Sequence, residues 1–346
     1  MLYPLKFRPR FLEKMWGGRK MQTLLGKPLP AENPIGESWE LYDFPAGYVD
    51  GVEGRLSSEV VNGPLAGRTL HDLVGQFGAE LMGHAKLSGP DGQFPVLIKF
   101  LDASDDLSIQ VHPDEKYAAA HPDAHLKTEA WYVVQQDAGS KIYKGLTPGT
   151  TRDGFEQAIK GGTVEQCVEK LEVKGGDCVF MPSGTVHALG RGILAWEVQT
   201  PSDTTFRVFD FNRVEQSTGK PRKLHVEQAL ACIDFAGKPE PKQPRSTING
   251  QYTTVSRLVT SNYFKLEKIR MRGGTDKRLP YDQPVVWTML EGEVHLRVEG
   301  LAEPVIVTRG ETVLLPARMN QPSLRTMADC VWLEVTFPVN PGATNA

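Results

Sequence analysis

The stretch Gly176-Asp-Cys-Val-Phe-Met-Pro182-Ser-Gly184-Thr-Val-His187 reads as a tight hairpin that delivers a histidine to a fixed place. Gly176 closes a Lys-Gly-Gly-Asp turn, where a positive φ is cheap only for glycine, and Asp177 can accept hydrogen bonds from the turn backbone. Cys178 to Met181 is then a short apolar strand. Pro182 ends it because it has no N–H to donate, and Gly184 permits the tight return. His187 stands on the strand that follows.

The spacing G-x5-P-x-G-x2-H resembles the second sequence motif of the cupin barrels. An ordinary hairpin with a histidine at its end would share the same turn chemistry, so the decision rests on the rest of the chain. Arg309-Gly310-Glu-Thr-Val-Leu-Leu-Pro316-Ala-Arg318-Met-Asn-Gln321 keeps the glycine and the proline, but Arg318 replaces Gly184 and Gln321 replaces His187. Trp287-Thr-Met-Leu echoes Trp131-Tyr-Val-Val, and Val285 stands where the first copy has Glu129. A helical insertion around 150–170 accounts for the greater length of the first copy. The same turn and strand order occurring twice points to two related barrels, with metal chemistry confined to the first.

The expected fold is therefore mainly β with α insertions, two cupin-type jelly-roll barrels of which the first carries the metal site. With 346 residues and 40% hydrophobic content the chain is long enough for two domains. The expected division is an N-terminal catalytic domain over 1–235, a proline-rich polar linker over 236–249 and a degenerate C-terminal domain over 250–346. Helical insertions are expected near 64–84, 114–121, 151–170 and 222–235. A net charge of -3 without a basic patch gives no footprint for nucleic acid or an anionic membrane. No apolar run is long enough to span a bilayer and the first residues lack a signal-peptide core, so a cytoplasmic location is expected. The four cysteines, Cys167, Cys178, Cys232 and Cys330, form no C-x-x-C pair and read as small buried side chains in a reducing compartment.

Residues 1–50 read as short strands and loops, including a half-buried strand at Pro34 to Leu41. Leu70, Leu73, Val74, Phe77 and Leu81 recur at helical spacing. Phe94 to Leu101 is an apolar run of strand length. In the next strand, Leu107 to His112, side chains alternate, so Ser108, Gln110 and His112 share one face. Lys127, Glu129 and Trp131 likewise share a face. Gln110, His112, Glu129 and His187 would then project inward from different strands, offering two imidazole nitrogens and two oxygens. That set suits Zn²⁺, one per chain, and tolerates Mn²⁺, Fe²⁺ or Co²⁺. A single carboxylate leaves net positive charge, the arrangement wanted of a Lewis acid. His71, His84, His121, His125, His225 and His295 read as surface, loop or core-edge residues, with His125 set apart by its nearness to Lys127.

Trp16-Gly-Gly, Gly36-Glu-Ser-Trp-Glu, Leu107-Ser-Ile-Gln-Val-His-Pro113, Lys127-Thr-Glu129, Pro182-Ser-Gly-Thr-Val-His187 and Ser202-Asp203-Thr-Thr-Phe-Arg207 together resemble the type I mannose-6-phosphate isomerases, particularly their short bacterial form. The resemblance implies a zinc enzyme that interconverts mannose 6-phosphate and fructose 6-phosphate through an enediol, with Gln110, His112, Glu129 and His187 as ligands. It also carries over Lys127, Asp203 and Arg207 as catalytic residues. On this reading Arg207 stabilises enediolate charge, Lys127 or Asp203 moves protons, and Ser108 with Lys99 holds the phosphate. The partner expected is a small hexose phosphate, and the protein a monomer or homodimer. Long members of the family carry a histidine where this chain has Leu126. Alternatives on the same barrel are another metal-dependent enzyme, such as a dioxygenase or sugar epimerase, and a non-catalytic sugar-phosphate binder.

Overall fold

The computed structural model describes residues 1–89, 91–214, 219–237 and 246–338, so most of the expected linker lies outside the described residues. Antiparallel sheets dominate it. In the first half, a six-stranded sheet runs in the order Cys178–Met181, Glu129–Gln136, Ile193–Gln199, Leu97–Ala103, Arg10–Gly18, Ile35–Leu41. A five-stranded sheet runs Val168–Glu172, Lys141–Leu146, His187–Leu189, Ile109–Val111, Phe206–Phe209.

The second half repeats this order. Thr312–Leu315, Val285–Glu291, Cys330–Thr336 and Lys265–Met271 follow one another in a seven-stranded sheet. Val305–Thr308, Glu293–Arg297, Ser323–Thr326 and Asp276–Arg278 form a four-stranded one. Even the register is kept, since Met181 faces Glu129 as Leu315 faces Val285. Gly176 and Gly310, at equivalent turns, both have φ above 80°. One element crosses over: Leu5–Lys6 pairs with Thr312–Leu315, so the chain begins in the sheet of its second half.

Alternation along the strands explains how the two halves join. In the six-stranded sheet Ile98, Phe100, Ala130, Tyr132, Trp196 and Val198 point into one large core with Val285, Trp287 and Leu333 of the second half. Leu101, Trp131, Val133, Val179 and Ala195 point the other way and pack with Trp16 and Leu107. Both faces are thus buried, and Ile35–Leu41, expected to be half-buried, is buried at every residue. A buried polar chain crosses the joint, with Trp196 Nε1 donating to Thr288 Oγ1 at 3.0 Å and Thr288 Oγ1 2.8 Å from Thr312 Oγ1.

The helices fall where expected but are shorter. Leu70–Phe77 begins at Thr69, whose side chain accepts from Asp72 N, and stops at Gly78 before Ala79–Met82. Asp114 caps Glu115–Ala120, Thr151 caps Arg152–Gly161, and Val226–Cys232 is the last. Lys20–Leu25 was not anticipated, because six residues are too short to show a period; Asp102 accepts from Met21 N and fixes its start. No described helix is long and apolar enough to cross a membrane, and the four cysteines form no disulfide.

A buried ion pair also ties the halves together. Lys27 Nζ lies 2.8 Å from Glu40 Oε1, donates to Gly310 O at 2.9 Å and sits 5.0 Å above the Phe100 ring. Replacing Lys27 by Met leaves Glu40 buried without its cation, so stability should fall by about 3–5 kcal/mol. The loss should appear as a lower denaturant midpoint at unchanged slope, and Lys27→Met with Glu40→Gln should recover part of it. A single variant as stable as the parent would show that the pair contributes nothing.

Candidate active site and metal centre

The site lies where rows of residues from the two sheets of the first half face each other. In the five-stranded sheet His187, Gln110 and Arg207 stand directly opposite one another on adjacent strands. In the six-stranded sheet Trp131, Glu197 and Lys99 form the corresponding row. A cavity of about 480 Å³ opens between them. Seven of the nine residues singled out in the sequence line it: Lys99, Ser108, Gln110, Lys127, Glu129, Asp203 and Arg207. The other two, His112 and His187, are only 1% exposed and contact Glu129.

Donor chemistry is unusually clear here. His112 Nδ1 lies 3.0 Å from Thr204 O, and His187 Nδ1 lies 2.8 Å from Thr185 O. A carbonyl only accepts, so each Nδ1 carries a proton, and a neutral ring then keeps its lone pair at Nε2. Those Nε2 atoms point at Glu129, at 3.3 Å from Oε2 for His112 and 3.1 Å from Oε1 for His187. Burial, and after it the Lys127 ammonium, push the His112 imidazole down to about 3, so it stays neutral. For Glu129 burial works toward protonation, but the Lys127 ammonium leads the groups that outweigh it and hold the carboxyl well below its ordinary value.

The His112 Nε2 lone pair therefore faces the Glu129 carboxylate with no proton between them. His112 Nε2 and Glu129 Oε1 are buried without a hydrogen-bond partner, and the three donor atoms lie within 4.8 Å of one another. A cation satisfies all of them, and the residues fit one made for nitrogen and oxygen ligands. Gln110 stands beside them, its Nε2 3.4 Å from His187 Nε2. A half-turn of that amide would present its oxygen instead.

Charged groups the sequence reading passed over complete the cavity. Glu197 Oε2 lies 3.3 Å from Lys99 Nζ, and burial followed by the charge of Glu129 pushes the Glu197 carboxyl up to about 8. Its signal was a lone acid in the apolar strand Ile193–Gln199. Glu37 accepts from Trp39 Nε1 and pairs with Lys14 at 3.1 Å and Lys99 at 3.6 Å. Burial alone would lower the Lys99 ammonium, but Glu197 and Glu37 reverse this and hold it above its ordinary value. Burial, then Glu37, raises the Asp203 carboxyl.

Two histidines read as surface or loop residues line the cavity as well. His125 stacks on Tyr48 at 3.5 Å between ring centroids, and His225 accepts from Arg207 N at 3.4 Å. Loops bring them there, and strand alternation says nothing about loops. The Leu126 side chain does not line the cavity, while its neighbours His125 and Lys127 do.

Fold and site together define a class: a mainly β protein whose antiparallel sheets enclose a candidate metal centre beside a polar cavity. Residues 5–157 match the family model described as phosphomannose isomerase type I, catalytic domain. The chain is 36% identical over 319 residues to a mannose-6-phosphate isomerase of Streptococcus mutans, covering 91% of this chain and 93% of the relative. It is 33% identical over 333 residues to a mannose-6-phosphate isomerase of Bacillus subtilis, covering 95% and 98%. The crystal structure of the mannose 6-phosphate isomerase from Bacillus subtilis superposes with a TM-score of 0.83 at 29% identity, over 97% of this chain and all of that one. The chain belongs to the type I phosphomannose isomerase family.

Removing either imidazole should empty the centre. His112→Ala and His187→Ala are each expected to lower the divalent metal retained after dialysis by more than about 10-fold. His295→Ala should change nothing, since that ring pairs with Glu293 in the second half. Elemental analysis of the purified variants decides it, and wild-type metal content in both site variants would discard the centre.

Proposed function

We propose that this protein interconverts mannose 6-phosphate and fructose 6-phosphate, with one Zn²⁺ per chain held by Gln110, His112, Glu129 and His187. The observation that carries this is the pair of imidazole Nε2 atoms facing the Glu129 carboxylate beside a cavity that also exposes Lys127, Asp203 and Arg207. Two imidazoles, a carboxylate and an amide are a donor set that suits zinc and contains no thiolate. In this reading the six- and five-stranded sheets form a catalytic cupin-type barrel over 1–235. The seven- and four-stranded sheets form a second barrel over 250–346, to which the first strand is added. A cytoplasmic enzyme, monomeric or homodimeric, is part of the same proposal.

Aldose to ketose isomerisation removes a proton from the carbon next to a carbonyl and returns one to the neighbouring carbon. A divalent ion bound in the centre would supply Lewis-acid polarisation of the reacting oxygens. Asp203 is a partly buried carboxyl with a raised proton affinity, which suits it to take and return the proton. Lys127, 3.5 Å from Glu129, is the other candidate for proton transfer and brings a positive charge to the reacting end. Arg207 is steadied by Nε donating to Ser108 Oγ at 3.1 Å and Nη1 donating to Lys223 O at 3.1 Å, and its charge would stabilise an enediolate. Ser108 and Lys99 are placed with the phosphate. Because Lys99 sits between Glu37 and Glu197, its charge is already compensated.

A coupled assay for fructose 6-phosphate formed from mannose 6-phosphate tests the reading. Turnover should disappear on chelation and return with zinc, without oxygen consumption. Arg207→Ala should lower kcat by about 10²–10³ while metal content stays at the wild-type level. Absence of metal-dependent turnover on every hexose phosphate would remove the proposal. Loss of metal that fully accounts for the slower variant would remove the role of Arg207.

A further inference from the structure

We propose that Arg222 is a phosphate-recognising residue of this cavity and that Asp210, shared with Arg213, is the brace that aims it. The inference rests on the hexose-phosphate reading above. Arg222 lines the same cavity as Arg207 and Ser108, and its side chain is 16% exposed. Its Nε donates to Asp210 Oδ2 at 2.7 Å and its Nη2 to Asp210 Oδ1. The Nη1 group takes no hydrogen bond among the described residues, so one edge of the guanidinium is held and the other is available to a ligand.

The brace is built with some strain. Asp210 is buried, and burial would raise its carboxyl, but Arg222 and Arg213 outweigh that and hold it below its ordinary value. Arg213 Nη2 reaches Asp210 Oδ1 at 2.6 Å, its Nη1 contacts Asp106 O and Asp105 Oδ2, and its guanidinium lies 5.5 Å from the Phe211 ring. Between Asp210 and Arg213 the chain passes through Phe211 at φ 53° and Asn212 at φ 54°, a conformation that Asn tolerates but that is disfavoured for Phe. The ion network holds this turn together with Arg213 N donating to Asp210 O at 3.0 Å and the Phe211 ring packing on Phe209.

Position supports the assignment. Segment 222–225 runs alongside Arg207, with Arg207 Nη1 donating to Lys223 O and His225 N donating to Arg207 O at 2.8 Å. Arg222 therefore belongs to the part of the cavity edged by Arg207 and its partner Ser108. One buried carboxylate serves two guanidiniums there, whereas Lys99 is flanked by two acids of its own. A guanidinium offers a phosphate two parallel donors, which an ammonium cannot.

Steady-state kinetics and inorganic phosphate titration, followed by the fluorescence of the cavity tryptophans Trp16 and Trp131, test the assignment on the intact chain. Arg222→Gln should raise both KM for mannose 6-phosphate and the dissociation constant of inorganic phosphate by about 10–100-fold. Its kcat and metal content should stay near wild type. Arg222→Lys, which keeps the charge, should recover part of the loss. Asp210→Asn should shift both constants in the same direction by less. Wild-type phosphate affinity in Arg222→Gln would overturn the proposal while leaving the isomerase reading intact. Phosphate binding that depends on Arg222 in a wild-type protein without turnover would do the reverse. A fall in kcat and metal content at unchanged phosphate affinity would mark Arg222 as structural and also overturn it.

Discussion

Two imidazoles and a carboxylate, buried against one another, set the terms for the first half of the chain. The constraint comes from the backbone, because Thr204 O and Thr185 O each engage an Nδ1 and turn both Nε2 atoms toward Glu129. Holding that geometry requires strands that cannot slip, since one residue of slippage would turn every side chain to the opposite face. His187 opposite Gln110 and Gln110 opposite Arg207 are such register contacts. Pro182 and Gly184 end one strand and set the start of the next, and a Cβ at Gly184 would meet Cys232 O at 3.0 Å.

Precision on one face of a sheet depends on what covers the other. The six-stranded sheet turns Phe100, Trp196 and Tyr132 away from the site and into a core shared with the second half. The second half thus acts on the site through packing, and close-packed interiors transmit small displacements. Lys27, the Trp196–Thr288 hydrogen bond and Tyr263 Oη donating to Glu115 at 2.9 Å are polar pins across the joint. Their value is directional, because apolar contact alone tolerates sliding.

Much of this was legible in the sequence, and the limits have physical causes. Alternation placed Ser108 and Gln110 on one face and Lys127, Glu129 and Trp131 on another, because a strand has a period of two and no freedom to depart from it. Repetition separated scaffold from chemistry, since Gly310 and Pro316 survive where Gln321 replaces His187. Glu37 and Glu197 were visible as acids inside apolar strands but were not weighed as cavity groups. Tyr48, His125, Arg222 and His225 had no periodic signal, since they reach the cavity on loops whose paths are set by tertiary contacts. Full burial of Ile35–Leu41 was also hidden, because alternation cannot reveal that a second sheet covers the polar-looking face.

Comparing the two halves shows what a working interior leaves undone. In the first, Lys99, Glu197 and Trp131 stand in a row; in the second, Glu267, Glu334 and Trp287 occupy the matching positions. Glu334 accepts from Tyr281 at 2.7 Å and Trp287 at 2.8 Å, and Glu267 pairs with Arg257 and Lys265. Every polar group of that row has found a protein partner. In the first row Trp131 Nε1 and Glu197 Oε1 are buried and have none. Buried groups without partners are costly and are ordinarily removed by selection for stability. Their survival in only one of two related interiors argues that something other than stability keeps them there, as expected where a chain trades local satisfaction for a site.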